Sequence, residues 1–382
     1  MKSKAASIIT TVVFVVVLFT LSIANLFSPV STFSENENRV LATMPEFSWE
    51  DLTSGKFGDD FNSFLSDQFI ARDQWVSIKT ATELALQEKE INGVLFCKDN
   101  YMIEHHDTVD IDQALLDLNT QRLQNFLTQY SNQLGTQHVK AMILPTASEV
   151  LTDKLPQYVP LFDQSAAIEK IEQGCPDGTF INMVPVLQEH KDEYIYYRTD
   201  HHWTTYGAFL GYGEWAASSG ITPLQASDFN IKTVSNSFLG TVYSKANYYA
   251  ALPDSISIYE PKEPHTYSLV FNQGDKTSDS LYQFDYLDKK DKYSMFLDGN
   301  NPLVDIQTDV KNGKRLLVIK DSFAHCFVPF LANHFEEIVM VDFRYYNDGV
   351  SSLFDQTEFT DVLVLYNLIN FGEDSRISNL ER

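Results

Sequence analysis

The sequence predicts an α/β domain built on a mostly parallel sheet and preceded by one transmembrane helix. Three observations carry this. Residues 138–144 form a short apolar run ending at Pro145, residues near 164–173 have helical spacing, and residues 179–183 form a second apolar run. Strand, helix, strand at that spacing is a βαβ unit, which requires a parallel pair. The rhythm returns at the C-terminal end, with strand-like runs at 315–320, 337–343 and 361–366 and a helix-compatible stretch at 324–335. Residues 5–27 form a long apolar run, long enough to span a bilayer as a helix.

Composition narrows the function classes. With 382 residues the chain is one large or two modest domains, and 44% hydrophobic content supplies a packed core. A net charge of −24 argues against nucleic acid or an anionic membrane surface as the main partner. Cys97, Cys175 and Cys326 are too widely spaced to read as a metal cluster, and an odd count leaves at least one free thiol.

Taken in order, Lys2 and Lys4 precede the apolar run and no basic residue follows until Arg39. The positive-inside rule puts the N-terminus in the cytoplasm and the rest outside. Ser22-Ile23-Ala24 offers a cleavage site, so a signal peptide is the rival to an uncleaved anchor. Exported in either case and poor in cysteine, the chain suits a bacterial envelope. The expected division is 1–28 cytoplasmic tip and anchor, 29–57 linker and entry segment, and 58–382 catalytic domain. Within the last, residues 58–90 have helical periodicity, residues 91–103 read as a hairpin with an Asp99-Asn100 turn, and residues 111–134 form an amphipathic helix. Residues 194–199 and 293–297 read as strands, 298–302 as a turn, and 204–218 as a helix capped by Thr204 or Thr205. Short antiparallel strands are expected at 238–241 and 255–259.

The chemistry concentrates at Asp200-His201-His202-Trp203. In an extended segment alternate side chains share a face, so Asp200 and His202 would pair and His201 would point away. A carboxylate that holds one imidazole nitrogen and leaves the other free makes a general base. The nucleophile expected is Ser322, at a strand-to-helix turn where its own N–H favours a developing oxyanion. Gly299 and Asn300, in the 298–302 turn, are the further candidates for oxyanion donors, and Trp203 for the pocket wall or the core beneath it. An ordinary N-cap serine, a structural histidine and a plain β-turn are the alternatives for these positions. A zinc site on Asp200, His201 and His202 is the rival chemistry, although the spacing lacks the helical i,i+4 or paired-cysteine pattern.

Asp200-His201-His202-Trp203, with residues 34–39 upstream and Lys320-Asp321-Ser322-Phe323 downstream, resembles the DHHW protein family of bacterial envelopes. That family is similar to the SGNH-hydrolase-like alginate O-acetyltransferases of the AlgJ and AlgX type. The resemblance implies a three-layer SGNH-like fold, with Asp200 orienting, His202 as base and Ser322 as nucleophile, and it calls for no cofactor and no metal. It also implies an acyl relay, in which a membrane-bound O-acyltransferase partner supplies acetyl groups for a cell-surface glycan acceptor. Lys320 stands where the related serine motif often has glycine.

Overall fold

The computed structural model describes residues 2–34, 36 and 39–382 of the chain. Glu35, Glu37 and Asn38, which belong to the upstream part of the family resemblance, lie outside the described residues.

Contacts divide the chain into two compact units, residues 1–88 with 244–250, and residues 89–243 with 251–382. The first unit starts with a helix, Lys2–Leu26, whose segment Lys4–Leu26 is long and apolar enough to cross a membrane. The region expected to be a linker carries structure of its own. Phe33–Ser34 pairs with Arg39–Val40, and Ser48 caps a short helix, Trp49–Ser54, by accepting from the Asp51 N–H. The helical stretch expected over 58–90 is two helices, Lys56–Asp67 and Arg72–Ala85, broken where Ala71 takes a left-handed φ of 56°.

In the second unit seven strands form one sheet: β1 (Val139–Leu144), β2 (Tyr267–Phe271), β3 (Lys276–Ser278), β4 (Leu303–Thr308), β5 (Arg315–Lys320), β6 (Glu337–Val341) and β7 (Asp361–Asn367), in the order β3-β2-β4-β6-β5-β7-β1. β6, β5, β7 and β1 are mutually parallel; β4 runs against β6, β2 against β4, and β3 against β2. Five of the seven strands therefore point one way, and the antiparallel strands extend a single edge.

Period-two alternation builds the three layers. On β5, Leu316 and Val318 enter one apolar cluster while Leu317 and Ile319 enter the other. The helix Thr205–Ser218 covers the first face with Ala208, Tyr212 and Trp215. The helix Gln113–Leu134 covers the second with Leu116, Leu123, Phe126 and Leu127. From β5 the chain passes to β6 on one side and then to β7 on the other. The carboxyl end of β5 is thus a topological switch point, where parallel sheets hold their ligands.

Four expectations fail locally. Residues 194–199 form no strand and reduce to an isolated antiparallel bridge at Tyr196. Residues 179–183 reduce to a single parallel bridge between Phe180 and Ala141. Tyr293–Met295 is a 3₁₀ turn and not a strand, because the chain bends there through left-handed Leu297, Asp298 and Gly299. The stretch 324–335 holds only a short helix, Val328–Leu331, with Pro329 at its start, where a missing N–H costs nothing. The antiparallel pair in the irregular region is Phe229–Phe238 with Asp254–Pro261; the strand expected at 238–241 ends at Phe238, and Thr241 starts a short helix, Thr241–Ala246.

Candidate active site

Ser322 follows directly on β5, in the turn Ser322–Ala324. Asp321 fixes this turn. Its Oδ1 accepts from the Phe323 N–H at 2.9 Å. Its Oδ2 accepts from the Asn367 N–H, Asn367 Nδ2 and Asn370 Nδ2 at 2.9, 2.7 and 2.9 Å, which ties the turn to the end of β7. From below, Trp203 Nε1 donates to the Phe323 carbonyl at 2.9 Å and the Tyr293 hydroxyl donates to the Ser322 carbonyl at 3.1 Å. Among the described residues the Ser322 N–H has no partner.

The histidine segment arrives on a neighbouring loop, and it is not extended. Tyr196 bridges antiparallel to Trp203, and the Tyr197 N–H donates to the His202 carbonyl at 3.2 Å. The chain reverses between them. Asp200 and His202 meet through an Asx turn instead of through strand alternation: Asp200 Oδ1 accepts from the His202 N–H at 3.0 Å and lies 2.6 Å from His202 Nδ1. His202 Nε2 lies 2.7 Å from Ser322 Oγ. The structure thus brings Asp200, His202 and Ser322 into one line of hydrogen bonds. His201 turns aside, with Nδ1 2.6 Å from Thr241 Oγ1.

A third loop completes the site, and sequence periodicity gave no hint of it. Asp200 Oδ2 accepts from the Thr241 N–H at 2.9 Å and from the Thr241 hydroxyl at 3.1 Å. Gly240 is required beside it, because a Cβ there would stand 2.2 Å from Asp200 Cβ. Buried Asp254 braces the loop before the histidines, accepting from the Arg198 N–H, the Thr199 N–H and the Thr199 hydroxyl at 2.9, 2.8 and 2.6 Å.

Electrostatics assign the protons. Burial alone would raise the Asp200 carboxyl, but the neighbouring imidazoles of His202 and His201 and the hydrogen bonds from His202 and Thr241 hold it well below the usual carboxylate range. Burial, then the charge of His201, pushes His202 below its ordinary 6.5 against the pull of Asp200. His202 is therefore neutral at pH 7. The ionised Asp200 accepts a hydrogen bond from Nδ1–H, which leaves the Nε2 lone pair to accept from the Ser322 hydroxyl. Ser322 retains 8% of its surface and His202 5%. The site is nearly dry, with the serine still reachable.

The remaining candidates fall elsewhere. The Gly299 N–H donates to the Phe296 carbonyl at 3.1 Å, within its own turn at a φ of 70°. The Asn300 side chain accepts from Arg344 at 3.4 Å. Among the described residues neither bonds to Ser322, His202 or Asp200. Trp203 is fully buried against Phe327, so it supports the serine turn from inside and offers no face to a substrate. Asp200, His201 and His202 have ligand atoms within 4.8 Å of one another. Both nitrogens of His202 are already engaged, so an ion there would have to displace Asp200 or Ser322.

Behind the serine turn lies a buried charged cluster that the sequence did not reveal. Lys320 Nζ is 3.0 Å from Asp342 Oδ2 and 2.9 Å from His325 Nε2. Arg344 grips Asp342 with Nε and Nη2 at 2.9 and 2.6 Å.

Known structures share this architecture. A DHHW family protein from Eubacterium siraeum is 24% identical, with a TM-score of 0.63 over 76% of this chain and 96% of that one. Bacillus cereus PatB1, solved with a sulfonyl adduct, is 20% identical, with a TM-score of 0.61 over 76% and 98%. The O-acetyltransferase domain of Pseudomonas putida AlgJ, at 14% identity and a TM-score of 0.41 over 76% and 98%, is too remote for its details to be carried over. No curated protein matches the sequence. The model of the DHHW protein family spans residues 122–341, more than half of the chain and all of the Asp200-His201-His202-Trp203 and Ser322 segments, and the chain belongs to that family.

Proposed function

We propose that this protein is a membrane-anchored, extracytoplasmic O-acetyltransferase that works through an acetyl-serine at Ser322. The observation that carries the reading is the line of hydrogen bonds from Asp200 Oδ1 through His202 to Ser322 Oγ, at 2.6 and 2.7 Å, at a nearly dry switch point of the sheet. His202 Nε2 takes the Ser322 proton as Oγ attacks the acetyl carbonyl of a donor ester. The Ser322 N–H faces the oxyanion. Protonated His202 returns the proton to the departing alcohol, leaving acetyl-Ser322. In the second half, His202 takes the proton of an acceptor hydroxyl, that oxygen attacks the acetyl carbonyl, and Ser322 regains the proton as its ester breaks. The Asp200 carboxylate offsets the imidazolium charge in both halves.

Two further observations support this. The sulfonyl adduct on the similar Bacillus cereus PatB1 suits a fold that carries an activated nucleophile, for which Ser322 is the candidate here. The helix Lys4–Leu26, with Lys2 and Lys4 at its start, suits an anchor with the N-terminus in the cytoplasm and the catalytic residues outside, beside a membrane-bound O-acyltransferase that supplies acetyl groups. The acceptor in this reading is a cell-surface glycan. Purified full-length protein, given an activated acetyl ester and a panel of glycans, should acetylate a glycan. Release of acetate with no glycan product across the panel would overturn transfer in favour of hydrolysis.

A further inference from the structure

His202 has two polar bonds, to Asp200 and to Ser322, and both leave from the ring edge, close to the line through its two nitrogens. The ring's free motion is a swing about its Cβ–Cγ bond, which carries both nitrogens off their partners, and the two hydrogen bonds alone resist it. A side chain lying flat on the ring blocks that swing and so holds the plane. Tyr293 does, with centroids 3.9 Å apart and planes 14° from parallel. His201 and Phe323 touch the same imidazole at 35° and 49°, tilted. The Tyr293 hydroxyl also donates to the Ser322 carbonyl at 3.1 Å and lies 3.3 Å from Cys326 Sγ. Burial pushes its phenol well above the ordinary value, so it stays a donor.

Tyr293 is itself held in place. It is buried, packs edge-on to Tyr197 at 6.2 Å, and lies near-parallel to His325 at 6.1 Å and 27°. His325 is fixed through Nε2 by Lys320 Nζ, which Asp342 anchors.

We infer that Tyr293 is the positioning residue of the site: its ring sets the plane of the His202 imidazole, and its hydroxyl holds the Ser322 backbone at the matching height. One side chain then registers base against nucleophile. This rests on the acyl-transfer reading above and adds to it a residue outside the Asp-His-His-Trp and Ser segments.

The test compares Tyr293→Phe, which keeps the ring, with Tyr293→Leu, which removes it, in the full-length protein. Acetylation of Ser322 by p-nitrophenyl acetate is followed by burst kinetics, and the His202 ring protons by NMR. Misplacing the base by about 1 Å costs on the order of 100-fold. Tyr293→Leu should therefore acetylate about 100-fold more slowly with KM within about threefold, and the ring-current shift on His202 should vanish. Tyr293→Phe should keep that shift and lose about tenfold or less, the worth of one hydrogen bond. If Tyr293→Leu does not fold, Tyr293→Met removes the ring while retaining bulk. Wild-type rates in the ring-less variant would overturn the inference, as would an unchanged ring-current shift, or an equal loss in Tyr293→Phe. Failure of the parent reading looks different: the wild-type protein would take up no acetyl group, while the NMR comparison would still report whether Tyr293 stacks on His202.

Discussion

Two regions press a histidine against Tyr293, and they place opposite charges beside it. In the loop before Thr204, His202 faces the Asp200 carboxylate on one nitrogen and the Ser322 hydroxyl on the other. In the cluster behind the serine turn, His325 faces the Lys320 ammonium. Burial lowers both imidazoles, but Asp200 pulls His202 back up while Lys320 drives His325 further down. In the proposed reading His202 therefore takes and returns a proton, while His325 accepts a hydrogen bond from Lys320 and supports the Tyr293 ring. Residue type does not separate a base from a brace; the neighbouring charge does.

The largest expected effect comes from removing the base on the carboxylate side. His202→Ala should reduce Ser322 acetylation by on the order of 1,000-fold or more, read as a burst rate constant with an activated ester, and an undiminished rate would erase the distinction between the two histidines. Next is Gly240→Ala, which forces a methyl group into Asp200. It should slow acetylation by about 100-fold and destabilise the fold by about 1–3 kcal/mol, because the clash is between two buried residues.

On the ammonium side the currency changes from rate to stability. Lys320→Met leaves Asp342 buried with Arg344 as its remaining partner and removes the donor to His325. A loss of about 3 kcal/mol in unfolding free energy is expected, measured by denaturant titration. An unchanged stability would mean that the cluster does not brace the fold.

The smallest effect is a shift in pH response. The base must be neutral to work, and His202 lies below its ordinary 6.5, so its neutral form persists to lower pH than that of a free histidine. The acid limb of kcat/KM should fall off as pH drops through a midpoint below 6.5. A midpoint above that value would put the dominant influence on the Asp200 side.

The legible parts of the sequence were those set by short-range periodicity and motif. The strands at 139–144, 315–320 and 361–367 are short, near-continuous apolar runs, the pattern of parallel strands covered on both faces. The Thr204 cap and the helix behind it follow from local chemistry. Asp200, His202 and Ser322 could be singled out by residue type, but Asp200 and His202 pair through a turn and not through strand alternation. The chain turns at Asp200, and the side chain itself makes the turn. Gly240, Thr241 and Tyr293 were not legible, since each meets its partners in the site across 29 or more residues of sequence, and no local pattern marks it. The Lys320–His325–Asp342–Arg344 cluster was hidden for a related reason. A lysine at the end of a strand reads as exposed, and only its pairing with Leu365 of β7 and its ion pair to Asp342 show that it is enclosed.

Mass spectrometry of the intact full-length protein after brief exposure to p-nitrophenyl acetate shows whether Ser322 carries the acyl group. A gain of one acetyl group is expected, mapped by peptide analysis to Ser322, absent in Ser322→Ala and strongly slowed in His202→Ala. An acetyl group that persists in Ser322→Ala, or forms equally fast without His202, would contradict acyl transfer through Ser322 and His202.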